Sequence, residues 1–179
     1  MKLLLFGNIG SGKSTISSEI ISSGKQFSLL NIDDFRRKFG DGSMEKEKIA
    51  KERFVDEIDI GNSNQIIECS GLGDTGEMVF EKLSKCKDRI LVFVLLADSS
   101  ICIQRLSNRI WDIPYPDKTA NVNKLIEKQA MIYNTNALKD KWNISSNIFF
   151  KLSSNNFTDD FKNNFQIITN FIDETDRNN

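Results

Sequence analysis

Apolar residues along this chain gather in short unbroken runs, separated by longer segments in which they recur every three or four positions. The runs are Leu3–Phe6, Phe27–Ile32, Gln65–Cys69, Arg89–Leu96 and Asn147–Leu152. Runs of this length without strict alternation suit strands covered on both faces, as in a parallel sheet. Between them, Ser14–Ser23 carries apolar residues at 16, 20 and 21, and Met44–Ile60 carries them at 49, 54, 55 and 58 with charged residues on the other face. Helical spacing continues through Thr75–Lys85, Ser99–Ile110, Val122–Leu138 and Thr158–Ile172. Strands alternating with helices predict an α/β domain with a five-stranded, mainly parallel sheet and helices on both faces. Ligands in such sheets sit beyond the carboxyl ends of the strands.

A length of 179 residues fits one domain with a core of its own. We expect that domain to span residues 1–174, followed by a polar tail at 175–179 that is frayed. The two prolines, Pro114 and Pro116, fall in WDIPYPDK and interrupt the helical pattern, so this segment reads as a shaped loop. It forms the middle of an expected small lid at about 105–120.

Charge and rare residues narrow the chemistry. With 24 basic and 25 acidic side chains the formal net charge is -1, which offers no general attraction to nucleic acid or to an anionic membrane. Nucleic acid stays possible as a partner through a local groove but is not favoured. The absence of histidine removes serine-histidine triads and most catalytic zinc sites, leaving acid-base work to carboxylates. Cys69, Cys86 and Cys102 are too few and too far apart for a disulfide framework, and reduced thiols are expected. The five apolar residues before Gly7 are too short for a signal peptide, and no run approaches a membrane span, so a cytoplasmic location is expected.

GNIGSGKST, Gly7 to Thr15, fits GxxxxGKS between a strand and an amphipathic helix, the context this phosphate-binding motif requires. The loop of Gly7, Asn8, Ile9, Gly10, Ser11, Gly12, Lys13, Ser14 and Thr15 turns successive amides inward, and the helix adds its positive end. Lys13 should reach the outer phosphates, and the Ser14 hydroxyl should ligate Mg2+. The motif gives the fold class a name: a three-layer P-loop NTPase fold.

The second strand ends in NIDDFRRKFG, which places Asp33, Asp34, Arg36 and Arg37 near the phosphate loop. A carboxylate there can accept a proton from an attacking hydroxyl, and an arginine one helical turn on can clamp an anion on the acceptor. One aspartate of the pair can instead cap the next helix. The third strand runs into ECSGLGDTGE, whose glycines permit close backbone approach, though a simple turn explains them almost as well. Arg105 and Arg109, four residues apart on a helix, project from one face toward the expected lid. Trp111 and Tyr115 either close over a ring-bearing or sugar-like acceptor or pack the lid against the body.

GNIGSGKST, NIDDFRR and the later RLSNR together resemble the small P-loop kinases: nucleoside monophosphate, shikimate and gluconate kinases and the kinase domain of phage polynucleotide kinase. The resemblance spans most of the chain. It implies that Asp33 is the base and Arg36 the clamp, with Asp33 or Asp34 also close to the magnesium ion. It implies further that Arg105 and Arg109 touch the triphosphate during transfer, and that Ser153–Asn156 borders the adenine. It also implies that Ser70 and Gly71 line the acceptor pocket and that Glu68 or Ser70 lies near the metal. The loop after the third strand lacks the three consecutive glycines of shikimate kinases, which lowers shikimate as substrate.

The expected activity is transfer of the γ-phosphoryl group of ATP, with Mg2+, to a hydroxyl or phosphate of a small molecule such as a nucleoside, nucleotide or sugar. A polynucleotide 5'-hydroxyl kinase is the near alternative. A nucleotide-binding switch is the alternative of another class, against which the absence of NKxD and LSGGQ elements counts.

Overall fold

The computed structural model describes residues 1–61, 63–107, 112–115 and 122–177. Strands β1 (Lys2–Gly7), β2 (Ser28–Asn31), β3 (Gln65–Glu68), β4 (Ile90–Leu96) and β5 (Ile148–Ser154) pair in the order β2-β3-β1-β4-β5, all parallel. The helices are α1 (Lys13–Ser22), α2 (Ile32–Phe39), α3 (Met44–Asp56), α4 (Gly73–Leu83), α5 (Ser99–Ser107), α6 (Val122–Tyr133), α7 (Ala137–Trp142) and α8 (Thr158–Arg177). The expected five-stranded parallel sheet between helical layers is the observed fold.

Alternation along the central strands builds two cores, one on each face of the sheet. Leu4 and Phe6 of β1 join Ile67, Val92 and Val94 in a cluster with Phe54, Val79 and Trp142 from the helices on that side. Leu3 and Leu5 point the other way, toward Ile16 and Ile20 of α1 and Ile168 and Ile172 of α8. Because both faces of β1 and β4 are covered, their sequences carry no polar alternation, as expected of such strands. The exception is Lys2, fully buried at the start of β1, whose ammonium pairs with Asp88 at 3.3 Å and donates to the carbonyl of Ser63 at 2.6 Å. A charge buried this deeply persists only when paired and hydrogen-bonded.

The chain leaves β1 for α1, passes over β3 to reach β2, and returns to β3 beside β1 before crossing to β4. Successive connections therefore diverge around β1, which opens a crevice at the carboxyl end of that strand. The phosphate-loop motif occupies that end.

Several boundaries differ from the sequence reading for identifiable reasons. The run Phe27–Ile32 shortens to β2 because the Asn31 side chain accepts a hydrogen bond from the Asp33 amide at 2.9 Å and starts α2 there. Asn31 is thus the N-cap, and neither Asp33 nor Asp34 serves as the cap. The segment Val122–Leu138 is two helices, broken after Tyr133 so that Trp142 of α7 can turn into the core, edge-on to Phe80 at 5.1 Å between centroids. At the other end, α8 continues to Arg177, past the expected stop at Ile172. Thr175, read as the first tail residue, is buried and donates to the Phe171 carbonyl at 2.8 Å.

Candidate functional site

The loop between β1 and α1 holds its shape through backbone that only glycine tolerates. Gly12 has φ +96°, and a Cβ built on it falls 2.4 Å from the Asn155 side chain, which itself donates to the Ser11 carbonyl at 2.6 Å. The side chain of Asn8 is turned inward, donating to the Ile126 carbonyl of α6 at 2.7 Å, so the loop is braced from above as well. Lys13 folds back over the loop and donates to the carbonyls of Gly7 at 3.0 Å and Asn8 at 2.8 Å.

Behind Lys13 lies Glu68, the last residue of β3 and almost fully buried. Its carboxylate accepts from the Ser14 hydroxyl at 2.6 Å and the Ser17 hydroxyl at 3.1 Å. Burial pushes its pKa up, against the opposing pull of the Lys13 charge and the two hydroxyls. Cys69, next in sequence, is buried, and desolvation raises its thiol to about 12, which excludes a thiolate nucleophile at neutral pH.

Across the crevice, α2 presents a second charged group. The Arg36 guanidinium donates to Asp33 at 3.0 Å, to Glu47 of α3 at 2.7 Å and to the Tyr115 hydroxyl at 3.1 Å. Tyr115 in turn donates to the same Asp33 oxygen at 3.1 Å, and its ring lies under Arg36 at 4.3 Å. Burial alone would lower the Arg36 pKa. The hydrogen bonds that Arg36 donates to Glu47 and the nearby Tyr115 and Asp33 outweigh it, so the guanidinium stays charged. Burial and then the Asp33 charge raise the Tyr115 pKa, which keeps the phenol protonated as a donor.

Both groups face one cavity of about 710 Å³, lined by Lys13, Ser14 and Glu68 on one side and by Asp33, Arg36 and Glu47 on the other. Gly7, Ile9, Gly10, Gly12, Thr15, Ser70 and Arg105 also reach it. Arg105 bridges the phosphate loop to the segment after β5, donating to Gly10 O at 3.1 Å, Asn155 O at 2.9 Å and Asn156 O at 3.0 Å. A second hollow, of about 720 Å³, opens beside it along Thr15, Arg105, Asn155, Asn156 and Phe157.

Other candidates lie elsewhere. Asn8 and Ser11 are buried beneath the loop, outside the cavity lining. Asp34 and Arg37 point to the outer face of α2, where Arg37 pairs with Asp34 at 2.8 Å and Asp112 at 2.9 Å. Gly71 is also outside the lining; its Cα packs on the ring of Phe6 in the core. Arg109, Trp111 and most of the expected lid fall outside the described residues. Of its described residues, 105–107 end α5 and 112–115 dock on α2, with Ile113 buried and Tyr115 reaching Asp33.

Several lining residues escaped the sequence reading, among them Asn31, Lys51, Thr75, Glu47 and Gln129. Glu47 sits on a helix whose charges all looked solvent-facing, and Gln129 sits mid-helix in α6. Only the N-terminal position of Glu47 in α3, one turn from a serine cap, hinted at anything beyond a surface role. Among the described residues no cluster of three or more aspartate, glutamate or cysteine side chains is arranged to hold a metal ion by itself.

Neither a protein-family model nor a curated protein sequence matches the chain. Solved structures do match in fold. A shikimate kinase from Bacteroides thetaiotaomicron superposes with a TM-score of 0.62 at 10% identity, covering 97% of this chain and 98% of that one. A deoxyadenosine kinase from M. mycoides, solved with bound dATP, gives 0.59 at 16% identity over 97% of this chain and 100% of that one. A chain of the Pnkp1/Rnl/Hen1 RNA repair complex gives 0.59 at 23% identity, over 80% of this chain and 46% of its own length. The fold is that of the small P-loop kinases.

Proposed function

We propose that this protein is an ATP-dependent kinase that transfers the γ-phosphoryl group to a small-molecule acceptor. The observation that carries the reading is one cavity in which the phosphate-loop side chains Lys13 and Ser14 face Asp33 across the crevice. A donor half and an acceptor half in a single cavity is what phosphoryl transfer requires, since it depends on positioning and electrostatics more than on covalent help.

The residues present fit Mg-ATP. The Ser14 hydroxyl and the carboxylates of Glu68 and Asp33 line the same space, and such hard oxygen donors are the ligands magnesium takes. When bound, the ion neutralises charge on the β- and γ-phosphate oxygens. Lys13 exchanges its two carbonyl partners for phosphate oxygens, and Arg105 adds positive charge from the α5 side. The same duty toward the triphosphate is assigned to Arg109. Gly12, Thr15, Asn155 and Asn156 border the second hollow, which is large enough for the nucleobase and ribose. Asp33 takes the proton of the acceptor hydroxyl while its oxygen bonds to the γ-phosphorus, and the bond to the β,γ-bridging oxygen breaks to release ADP.

One observation favours a second reading, a polynucleotide 5'-hydroxyl kinase: the chain from the RNA repair complex shares 23% identity across 80% of this protein. Both readings are tested by following ADP release from Mg-ATP over nucleosides, mononucleotides, sugars and 5'-hydroxyl oligonucleotides. Acceptor-stimulated release supports a kinase, and labelling of a 5' end selects the second reading. ATP hydrolysis that no acceptor stimulates would overturn both.

A further inference from the structure

The acceptor side of the cavity is built around an arginine whose donors are mostly committed already, four of its five N–H groups being directed at Glu47, Asp33 and Tyr115. Arg36 directs Nε at both Glu47 oxygens, at 3.2 and 3.0 Å, Nη2 at Glu47 Oε1 at 2.7 Å, and Nη1 at Asp33 and Tyr115. Its flat face is covered by the Tyr115 ring. The side chains of Arg36 and Glu47 are only 11% and 7% exposed. The other cation on this side, Lys51, lies 3.8 Å from Glu47 and 3.5 Å from Asp74. Among the described residues of the acceptor side, the three carboxylates Asp33, Glu47 and Asp74 therefore outnumber the two cations, Arg36 and Lys51. A phosphate or carboxylate on the acceptor would have to compete with Glu47 for Arg36 and lie beside that buried anion, a loss on the order of 100-fold in affinity.

A neutral group awaits a partner in the same cavity. The Gln129 carbonyl oxygen is buried with no hydrogen-bond partner. Its position is fixed by the helix on either side: Ile126, one turn before, accepts from Asn8, and Tyr133, one turn after, donates to the Ser70 carbonyl at 2.5 Å. Gln129 thus stands between the phosphate loop and the loop after β3, with Leu125 and Thr75 also in the lining. A buried amide left without a partner is costly, and a ligand that hydrogen-bonds to it recovers the loss.

We infer that the acceptor is an uncharged hydroxyl compound of the nucleoside or neutral-sugar class, selected by Gln129 and by the Glu47–Arg36 pair that closes this side to anions. The inference rests on the kinase reading. In it, Glu47 and Arg36 are positioning residues that hold Asp33, and Gln129 is a specificity determinant.

The test compares matched acceptors on the wild-type protein with Mg-ATP: nucleosides against their monophosphates, neutral sugars against sugar acids, and a 5'-hydroxyl oligonucleotide. A neutral acceptor should exceed its anionic counterpart by about 10-fold or more in kcat/KM, and whether it is a nucleoside or a sugar identifies the source. Gln129→Ala should raise KM for that acceptor about 10-fold and leave kcat within about 3-fold. Glu47→Gln keeps the shape and frees Arg36, so the preference for neutral over anionic acceptors should narrow by about 10-fold. Best turnover of a monophosphate, a sugar acid or the oligonucleotide would overturn the inference and leave the kinase reading standing. Tight ATP binding without stimulation by any acceptor would overturn both.

Discussion

Gly71→Ala adds a single methyl where the loop after β3 passes closest to the core. Gly71 has φ +72°, a conformation that costs an L-residue about 1–2 kcal/mol. The new Cβ would lie 2.4 Å from Phe6 Cδ2 and 2.5 Å from Cγ. Carbon atoms in contact rest about 3.5–4.0 Å apart, so roughly 1 Å of relief is needed. The ring has little freedom to give: Phe6 is fully buried, 5.8 Å from Trp142, which is itself braced edge-on by Phe80. Overpacking of this kind costs about 1–3 kcal/mol, for a total of about 2–5 kcal/mol. In a domain of this size that lowers the thermal midpoint by about 4–20 °C. Thermal unfolding followed by circular dichroism, with urea midpoints as a second measure, reads the effect directly. A midpoint within about 2 °C of wild type, together with a raised KM for acceptor, would show that Gly71 serves the ligand and that the core contact is not limiting.

Asp33→Asn should lower acceptor-dependent turnover by about 100-fold or more while ATP affinity, read by fluorescence titration, stays close to wild type; unchanged turnover removes Asp33 from the mechanism. Arg105→Ala deletes the bridge from Gly10 to Asn155 and Asn156, and KM for ATP should rise by about 10-fold, since hydrogen bonds made by a charged donor are worth about 1.5–3 kcal/mol. Glu68 supplies a pH signature. Burial raises its folded-state pKa above the usual 4.5, so the folded protein binds that proton more tightly than the unfolded chain. The associated stability is fully present below pH 4.5 and is lost as pH rises through the raised pKa. Glu68→Gln should flatten this part of the urea midpoint profile from pH 4.5 upward, and an unaltered profile would exclude Glu68 as its source.

The phosphate-loop motif was readable because it is local. A phosphate loop needs glycines, a lysine and a serine at fixed spacing between a strand and a helix, and all of these lie within Gly7 to Thr15. The strands were readable for a similar reason: residues covered on both faces must be apolar wherever they sit, so Leu3–Phe6 and Arg89–Leu96 stand out without a structure. Asp33 and Arg36 were also visible, as an acidic and a basic side chain at the end of a strand. Their partners were not. Glu47 follows Arg36 by 11 residues on another helix, and Tyr115 is 79 residues away. No spacing rule links such pairs, because the packing of α3 and of the 112–115 segment on α2 brings them together.

The same distinction explains the misread boundaries. Asn31 rather than an aspartate caps α2, because a cap is chosen by where the backbone turns, and that turn is set by the end of β2 in the sheet. The tail at 175–179 reads as polar, yet Thr175 is buried because α8 lies along the sheet face long enough to cover it. Sequence by itself determined the α/β alternation, the phosphate loop and the presence of an acidic pair beyond the second strand, since each is encoded in neighbouring residues. Tertiary structure alone decided that Arg36 is neutralised by Glu47, that Gln129 waits unpartnered in the cavity, and that Gly71 answers to Phe6. Those outcomes depend on which surfaces the fold presses together, and burial is what turns an ordinary contact between charges or amides into a strong selection.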